Sequence, residues 1–466
     1  MSDPIATTRE ALAGLDAWIV GGAVRDRLLE RPTADIDVVV DGDVGAAAKR
    51  LARAAGGPAF ELSDEFGAWR VMAPGRAWHA DLSPLRGGSL AADLALRDFT
   101  INALAQPLDG GDLVDPHGGA ADIAARRLRA VGPRTFAEDP LRALRLVRLA
   151  AELAFDVDAP TSDLARADAA RVVEVAQERV FAELKRILAA GGVTRSLRRM
   201  DDLGVLAAVL PEVAALRGVE QSRYHHADVF DHTLEVLEQA LALHADPGAV
   251  FGAPDAQAVR DLLDEPLSDE VDRGVALVLG ALLHDAAKPA TLGHREDGSP
   301  TFVGHDREGA QLARHILERL RASERLKAHV CALVRHHLRL GFLVHERPLS
   351  RRALYRYLST CEPVEVDVTL LSVADRLATR GRKADESIAK HLDLAREVLP
   401  AALAWRAAGR RRPLVRGDVL AAALGIDAGP QLGRLLAAID EARFAGDVST
   451  PGEAIAWAER LREARH

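Results

Sequence analysis

The sequence predicts an α+β head followed by a long all-α body. Two observations carry this. Short β-branched runs with polar ends are confined to about the first hundred residues, interleaved with helical stretches. After about residue 120 strand signals nearly vanish, and Ala, Leu, Arg and Glu recur at the 3.6-residue period with Gly and Pro as punctuation.

The elements follow in order. Ala17 to Val20 is a short apolar run that ends at Gly21-Gly22. Asp35 to Asp41 reads DIDVVVD, a β-branched strand with polar ends. Trp69 to Met72 and Trp78 to Leu82 are further strands. Gly118-Gly119 and Gly132-Pro133 mark the exit from the head. Asp255 to Glu270 reads as an acidic loop, and Gly293 to Gly304 as a polar segment turning at Gly298 to Pro300. Arg410 to Pro413 is a basic joint before a final small unit. The domains expected are 1–130, 131–224, 225–390 and 391–466.

Composition narrows the class. Of 466 residues, 48% are hydrophobic and 28% charged, close to soluble globular averages, which excludes a mostly disordered chain or a fibrous rod. No apolar run approaches the ~18 residues that span a bilayer, and the start lacks the apolar core of a secretory signal. The two cysteines, Cys331 and Cys361, cannot build a disulfide framework, so a reducing cytoplasm is expected. Net charge is −9, so any nucleic-acid contact must come from local patches. One such patch is 123–148, with seven Arg against two acids.

Three features of the head belong together. Gly21-Gly22 stands between a strand and a helix, where backbone N–H groups can approach phosphate, with Arg25 close by. Asp35-Ile36-Asp37 puts two carboxylates on one strand face, because residues i and i+2 point the same way. Like charges side by side are costly unless cations lie between them; two Mg²⁺ ions about 3.5–4 Å apart would serve. Asp81, on another strand, would complete the carboxylate set.

A Gly turn and helix, then a DxD strand, then a single strand acid is the order found in polymerase-β-like nucleotidyltransferases. The surrounding IVGGAVRDRLL…ADIDVVV resembles the class II tRNA nucleotidyltransferase and bacterial poly(A) polymerase family. So do Leu96-Arg97-Asp98-Phe99-Thr100-Ile101-Asn102-Ala103-Leu104, Asp115 to Gly119, Glu138-Asp139-Pro140-Leu141-Arg142 with Arg145 and Arg148, and Glu178-Arg179-Val180 with Glu183-Leu184.

This resemblance implies site residues. Asp35 and Asp37 hold the catalytic metals, and Gly21, Gly22 and Arg25 the triphosphate. Arg97, Asp98 and Asn102 contact the nucleotide, Asp98 at the ribose 2′-hydroxyl. Asp139 and Arg142 select the base, with Arg145 and Arg148 beside them. An Asp acceptor and an Arg fork at i and i+3 of one helix face can imitate a Watson–Crick edge. Two departures stand out. Leu96 replaces the first of two basic residues usual before Asp98. The segment Leu82–Leu96, with Arg86-Gly87-Gly88, is shorter than the Arg-, Gly- and Ser-rich stretch of relatives that complete a CCA end.

Behind the head lie His232, His284-Asp285, His305, His336-His337 and Asp375. Imidazoles with carboxylates suit Zn, Mn, Ni, Co or Fe. The order His…His-Asp…Asp, within Asp228 to Leu234, Leu282 to Pro289, Phe302 to Asp306 and Ser372 to Arg376, resembles the HD phosphohydrolase superfamily. The resemblance implies that His232, His284, Asp285 and Asp375 bind one metal, and that His305 and His337, taken over His336, recruit a second. Lys288 either neutralises developing charge or caps a helix. The tail, from Arg416-Gly417-Asp418 through Gly425, Gly429-Pro430 and Gly433 to Gly446, resembles the family's tRNA-docking unit.

The whole implies a polymerase-β-like nucleotidyltransferase head with a small mixed sheet, followed by an elongated all-α body that includes an HD domain. Its activity would be addition of CMP, and of AMP, from CTP and ATP to the 3′ end of tRNA, with Mg²⁺ as cofactor, no membrane partner and a transition metal at the HD site. The alternatives are a CC-adding specialist, a poly(A) polymerase, or an HD phosphohydrolase with an RNA-binding head.

Overall fold

The strand Asp35–Val40 (β2) shows how the head is built. Asp35 and Asp37 face outward, whereas Ile36, Val38, Val39 and Val40 are buried. The structure, a computed structural model, describes residues 3–63, 67–221, 228–379, 384–409 and 412–463. The chain divides into two compact units, Met1–Val209 and Leu210–His466.

In the first unit, β2 lies in a six-stranded mixed sheet with Ala17–Val20 (β1), Ala59–Ser63 (β3), Ala68–Met72 (β4), His79–Pro84 (β5) and Ala105–Pro107 (β6). The order is β3-β4-β5-β2-β1-β6. Only β2 and β5 run parallel, and their register sets Asp37 beside Asp81 and Asp35 beside His79. The helix Val44–Ala55 packs Ala47, Ala48 and Leu51 into the core. Asp43 caps its N-terminus by accepting from the Ala46 amide, and Gly56 closes it in the left-handed region.

The expected strands are present, and β3 and β6 join them from outside the sequence reading. Both are edge strands. In β3, Phe60 and Leu62 are exposed, so it lacks an inward apolar face; β6 ends in Pro107, and proline is tolerated only at an edge. The helices Arg142–Leu153 and Gln177–Ala189 belong to the helical part of this unit.

The second unit is helical among its described residues, apart from short paired strands. Asp255 to Glu270 departs from the expected loop: Ala253–Leu263 is a helix that buries Ala256, Val259, Leu262 and Leu263. Acids between those positions hide the helical period in the sequence. Pro254 starts that helix, where proline's missing N–H costs nothing. The Gly298 turn closes a small hairpin, Gly293–His294 with Pro300–Thr301. The tail helices Gly417–Leu424, Pro430–Ala445 and Pro451–Glu463 share their own core around Leu420, Leu432, Leu435 and Ile439. The expected boundary at 224/225 and Arg410-Arg411 of the basic joint lie outside the described residues. No helix among the described residues is long and apolar enough to cross a membrane.

Candidate functional site

A cleft of about 890 Å³ opens in the first unit. Gly21, Gly22, Arg25, Asp35, Asp37, Arg97, Asp98, Asn102, Asp139, Arg142, Arg145 and Arg148 all line it. Asp81 does not; it stands beside Asp37 in the sheet, held bidentately by Arg70 at 2.7 Å. Arg70 went unread in the sequence, because only the β4–β5 register brings it opposite Asp81.

Asp35 is 79% exposed and lies 3.1 Å from His79 Nδ1. Asp37 opens onto the cleft yet is ringed by protein, and burial pushes its carboxyl above the ordinary value. Arg97 works against that shift, and the charges of Asp81 and Asp35 add to it. Three crowded carboxylates, one resisting ionisation, are a donor set that a divalent cation would relieve. Gly21 is required here. Its φ is +69°, and a Cβ would sit 2.8 Å from Arg97 Nη1 and 3.2 Å from Asp37 Oδ2.

The basic side chains are fixed by partners. Arg25 grips Asp26 with two bonds of 2.9 Å and donates to Asn102 Oδ1 at 2.7 Å. Asn102 donates in turn to Asp98 Oδ1 at 3.0 Å. Asp98 is 5% exposed, accepts from the Phe99 amide and lies 3.1 Å from Arg145 Nη2. Burial opposes its charge, but Arg145, Asn102 and that amide outweigh burial and hold the carboxyl below its ordinary value. Arg148 is tied to Glu183 at 2.5 Å and Glu152 at 2.8 Å.

Asp139 and Arg142 do not share a helix face as expected. Asp139 ends the short helix Thr135–Glu138 in an extended conformation, and Arg142 begins the next helix. Pro140 is the cause, since the residue before proline is driven out of the helical region. Both side chains still reach the cleft. Asp139 Oδ2 accepts from Arg179 at 3.0 Å, and Arg142 donates to the carbonyls of Leu96 at 2.6 Å and Thr135 at 3.1 Å. Leu82–Leu96 is an ordered segment: strand, turn, then the helix Leu90–Ala95 capped by Ser89. Asp93, fully buried, accepts from the Arg86 amide and side chain at 3.2 Å and from Arg97 at 3.3 Å.

The second unit gathers the histidine–aspartate set. His232, His284 and Asp375 form one group of ligand atoms within 4.8 Å of one another, and Asp285, His305 and His337 another. His336, the neighbour, belongs to neither. His232 Nε2 lies 3.1 Å from Asp375 Oδ1, and Asp285 faces His284 at 3.1 Å and His305 at 3.4 Å. His284, His305 and His337 each direct Nδ1 at 2.7 Å to the carbonyl three residues earlier. A carbonyl only accepts, so each Nδ1 carries the proton and each Nε2 is left as a ligand atom. His305 and His337 face Nε2 to Nε2 at 3.3 Å, two lone pairs that a cation would reconcile. Burial pushes His337 down to about 4, with nearby His284 adding to it. Lys288 Nζ lies 2.7 Å from both Asp285 and Gln221 Oε1, so it is a partner of the centre rather than a helix cap alone. In the tail, Arg416 is paired with Asp418 at 2.8 Å.

Comparison with known proteins gives three matches to family models. A poly A polymerase head domain matches 17–129, a probable RNA- and SrmB-binding site of polymerase A matches 154–216, and an HD domain matches 229–380. An A-adding tRNA nucleotidyltransferase of Deinococcus radiodurans is 37% identical over 96% of this chain and 96% of its own. A CC-adding tRNA nucleotidyltransferase of Thermus thermophilus is 35% identical over 95% of this chain and 93% of its own. A solved complex of a CCA-adding enzyme with CTP shares the fold, with a TM-score of 0.64, 21% identity and coverage of 98% and 94%.

Proposed function

The chain belongs to the tRNA nucleotidyltransferase family, and from that premise we propose that it adds CMP, and then AMP, to the 3′ end of tRNA without a nucleic-acid template. The observation that supports this most is the single cleft in which Asp35 and Asp37 share one space with Asp139 and Arg142. Asp35 and Asp37 would hold divalent ions such as Mg²⁺, which when bound activate the attacking hydroxyl and neutralise charge on the phosphates. The rest falls to the protein. Arg25, braced by Asp26 and Asn102, and Arg97, braced by Asp93, would hold the triphosphate. Asp139 and Arg142 would read the base edge. The tRNA 3′-hydroxyl then attacks the α-phosphorus, the bond to the bridging oxygen of the β-phosphate breaks, and pyrophosphate leaves.

Arg142 is tied to the Leu96 carbonyl of the short 82–96 segment, and a shift in the Asp139–Arg142 pair would let the same two side chains accept cytosine or adenine. The experiment is extension of tRNAs lacking the whole CCA end or only its terminal A, resolved to single nucleotides, with CTP, ATP or both. Addition of two residues with CTP and three with both is expected. Arrest at two with both nucleotides marks a CC-adding enzyme. A single A added only to tRNA ending in CC marks an A-adding one. A ladder from ATP alone favours poly(A) synthesis, and no extension rejects the proposal.

A second activity is favoured by the two ligand groups, which come together where Asp285 of one faces His284 of the other at 3.1 Å. In this reading His232, His284, Asp285, Asp375, His305 and His337 hold one or two ions of Mn, Ni, Co or Zn, which supply hydroxide near neutral pH for phosphoester hydrolysis. Lys288 would receive the phosphate charge. We place the protein in the cytoplasm, where the free thiols Cys331 and Cys361 would stay reduced.

A further inference from the structure

We infer that a crevice in the second unit, between the helices Arg351–Cys361, Ala384–Ala408 and Pro430–Ala445, receives one unpaired nucleotide of the RNA substrate. The inference rests on the tRNA reading above and adds a site to it. The crevice encloses about 370 Å³, within the ~300–1,000 Å³ range of ligand pockets.

Its walls are aromatic in a chain poor in aromatics, which make up only 4% of the residues. Tyr355, Trp405 and Phe444 form a closed triad with ring centroids 5.6–5.7 Å apart and planes inclined by 51–72°. These rings stand outside the tail's own core, which is built from Leu420, Leu432, Leu435 and Ile439. Filling that core therefore does not explain them. Trp405 is buried, and its indole Nε1 donates to Glu362 at 3.3 Å; Tyr355 and Phe444 are half-buried and line the crevice. Base stacking on such surfaces is tolerant of sequence and contributes through every base's π-face.

The charges single out the same place. Neighbouring arginines are matched to acids: Arg352 to Asp447 at 2.7 Å, Arg356 to Glu441 at 3.3 Å, Arg347 to Glu397 at 2.9 Å. The two that line the crevice are not. Arg351 donates to the Phe444 carbonyl at 3.0 Å and lies 5.7 Å from that ring's centroid. Arg443 donates to the Arg412 carbonyl at 2.8 Å. Neither has a carboxylate partner among the described residues, so each keeps most of its five N–H donors for a phosphate. Glu362 is placed to accept from a base amino group. Asp440, also in the wall, disfavours a free polyphosphate and leaves a single phosphodiester as the fitting anion.

The test is binding and turnover with Phe444→Ala and with Arg351→Ala/Arg443→Ala, using a full tRNA transcript lacking CCA and an acceptor-stem minihelix. Circular dichroism and melting curves establish that each variant is folded. Affinity for full tRNA should fall about tenfold, and the salt slope should become shallower by one to two in the arginine pair. KM for CTP, kcat, and KM for the minihelix should hold within twofold. Unchanged affinity for full tRNA in folded variants overturns the inference. Equal losses on the minihelix overturn it too, since they report a general structural effect. If the native chain extends no RNA but the variants still weaken tRNA binding, the nucleotidyl-transfer reading fails and the pocket stands.

Discussion

At the scale of a single residue, the proposed nucleotidyl transfer turns on Asp37. Burial and neighbouring carboxylates raise its carboxyl, and only the ionised form can hold a cation. CMP incorporation should therefore rise with pH as Asp37 ionises, and Asp37→Asn should lower it by at least ~10²-fold while removing that rise. Initial rates across acid to neutral pH measure both effects; an unaltered profile in the variant would assign the titration elsewhere. At the second centre, adjacent histidines separate cleanly. His337→Ala should weaken metal binding by at least ~10-fold, because it removes a ligand rather than a supporting contact. His336→Ala should retain the metal, as read by elemental analysis after dialysis against a graded chelator.

Among elements, the helices that bring ligands to Asp285 are joined by a buried charge. Asp367, fully buried in the first turn of Glu365–Leu377, pairs with Arg273 Nε at 3.2 Å and faces His329 Nε2 at 3.4 Å. Arg273 begins the helix that ends at His284, and Asp375 lies further along the helix of Asp367. Burial opposes the Asp367 charge, yet His329 and Arg273 prevail and hold the carboxyl below its ordinary value. A lowered folded value means a contribution that is complete above the unfolded value of ~3.9 and disappears as pH falls through the folded one. Asp367→Asn should cost ~3–5 kcal/mol near neutrality. Urea unfolding should show the gap to the native chain narrowing below pH ~4.

The same scale separates what the sequence discloses from what it conceals. β2 is legible because a period of two survives in DIDVVV, and the two carboxylates proposed to hold metal ride on it. Gly21 is legible because a glycine pair between strand and helix has few other uses. β3 and β6 are concealed because edge strands need no inward apolar face. The partners Arg70, Arg179 and Gln221 are concealed for another reason: they meet Asp81, Asp139 and Lys288 through register and packing, which no local pattern encodes. Pro140 was in plain view, and its effect on Asp139 follows from proline sterics alone.

For the molecule as a whole, charge decides how RNA is held. The seven arginines of 123–148 suggest a strong patch. In the structure Arg127 and Arg129 pair with Asp122, Arg145 with Asp98, and Arg148 with Glu152 and Glu183. Arg126, Arg142, Arg351 and Arg443 have no acid partner among the described residues. With most of that patch committed to internal acids and a net charge of −9, tRNA should bind with a shallow logarithmic salt slope of about −3. Filter binding across a salt series measures it, and a slope near −7 would mean that the internal pairs open on RNA.

Two of the imidazoles that donate through Nδ1, His284 and His337, have a consequence for the helices they terminate. His284 follows Leu283 and His337 follows His336, each at a helix end, and their rings donate to the Ala281 and Val334 carbonyls of the final turns. The ring that offers Nε2 to an ion thus also closes the final turn of its own helix. Occupying the centre and keeping those turns wound become one equilibrium. Metal loading should slow amide-proton exchange at 281–285 and 334–337 together, and fraying of either end should empty the site.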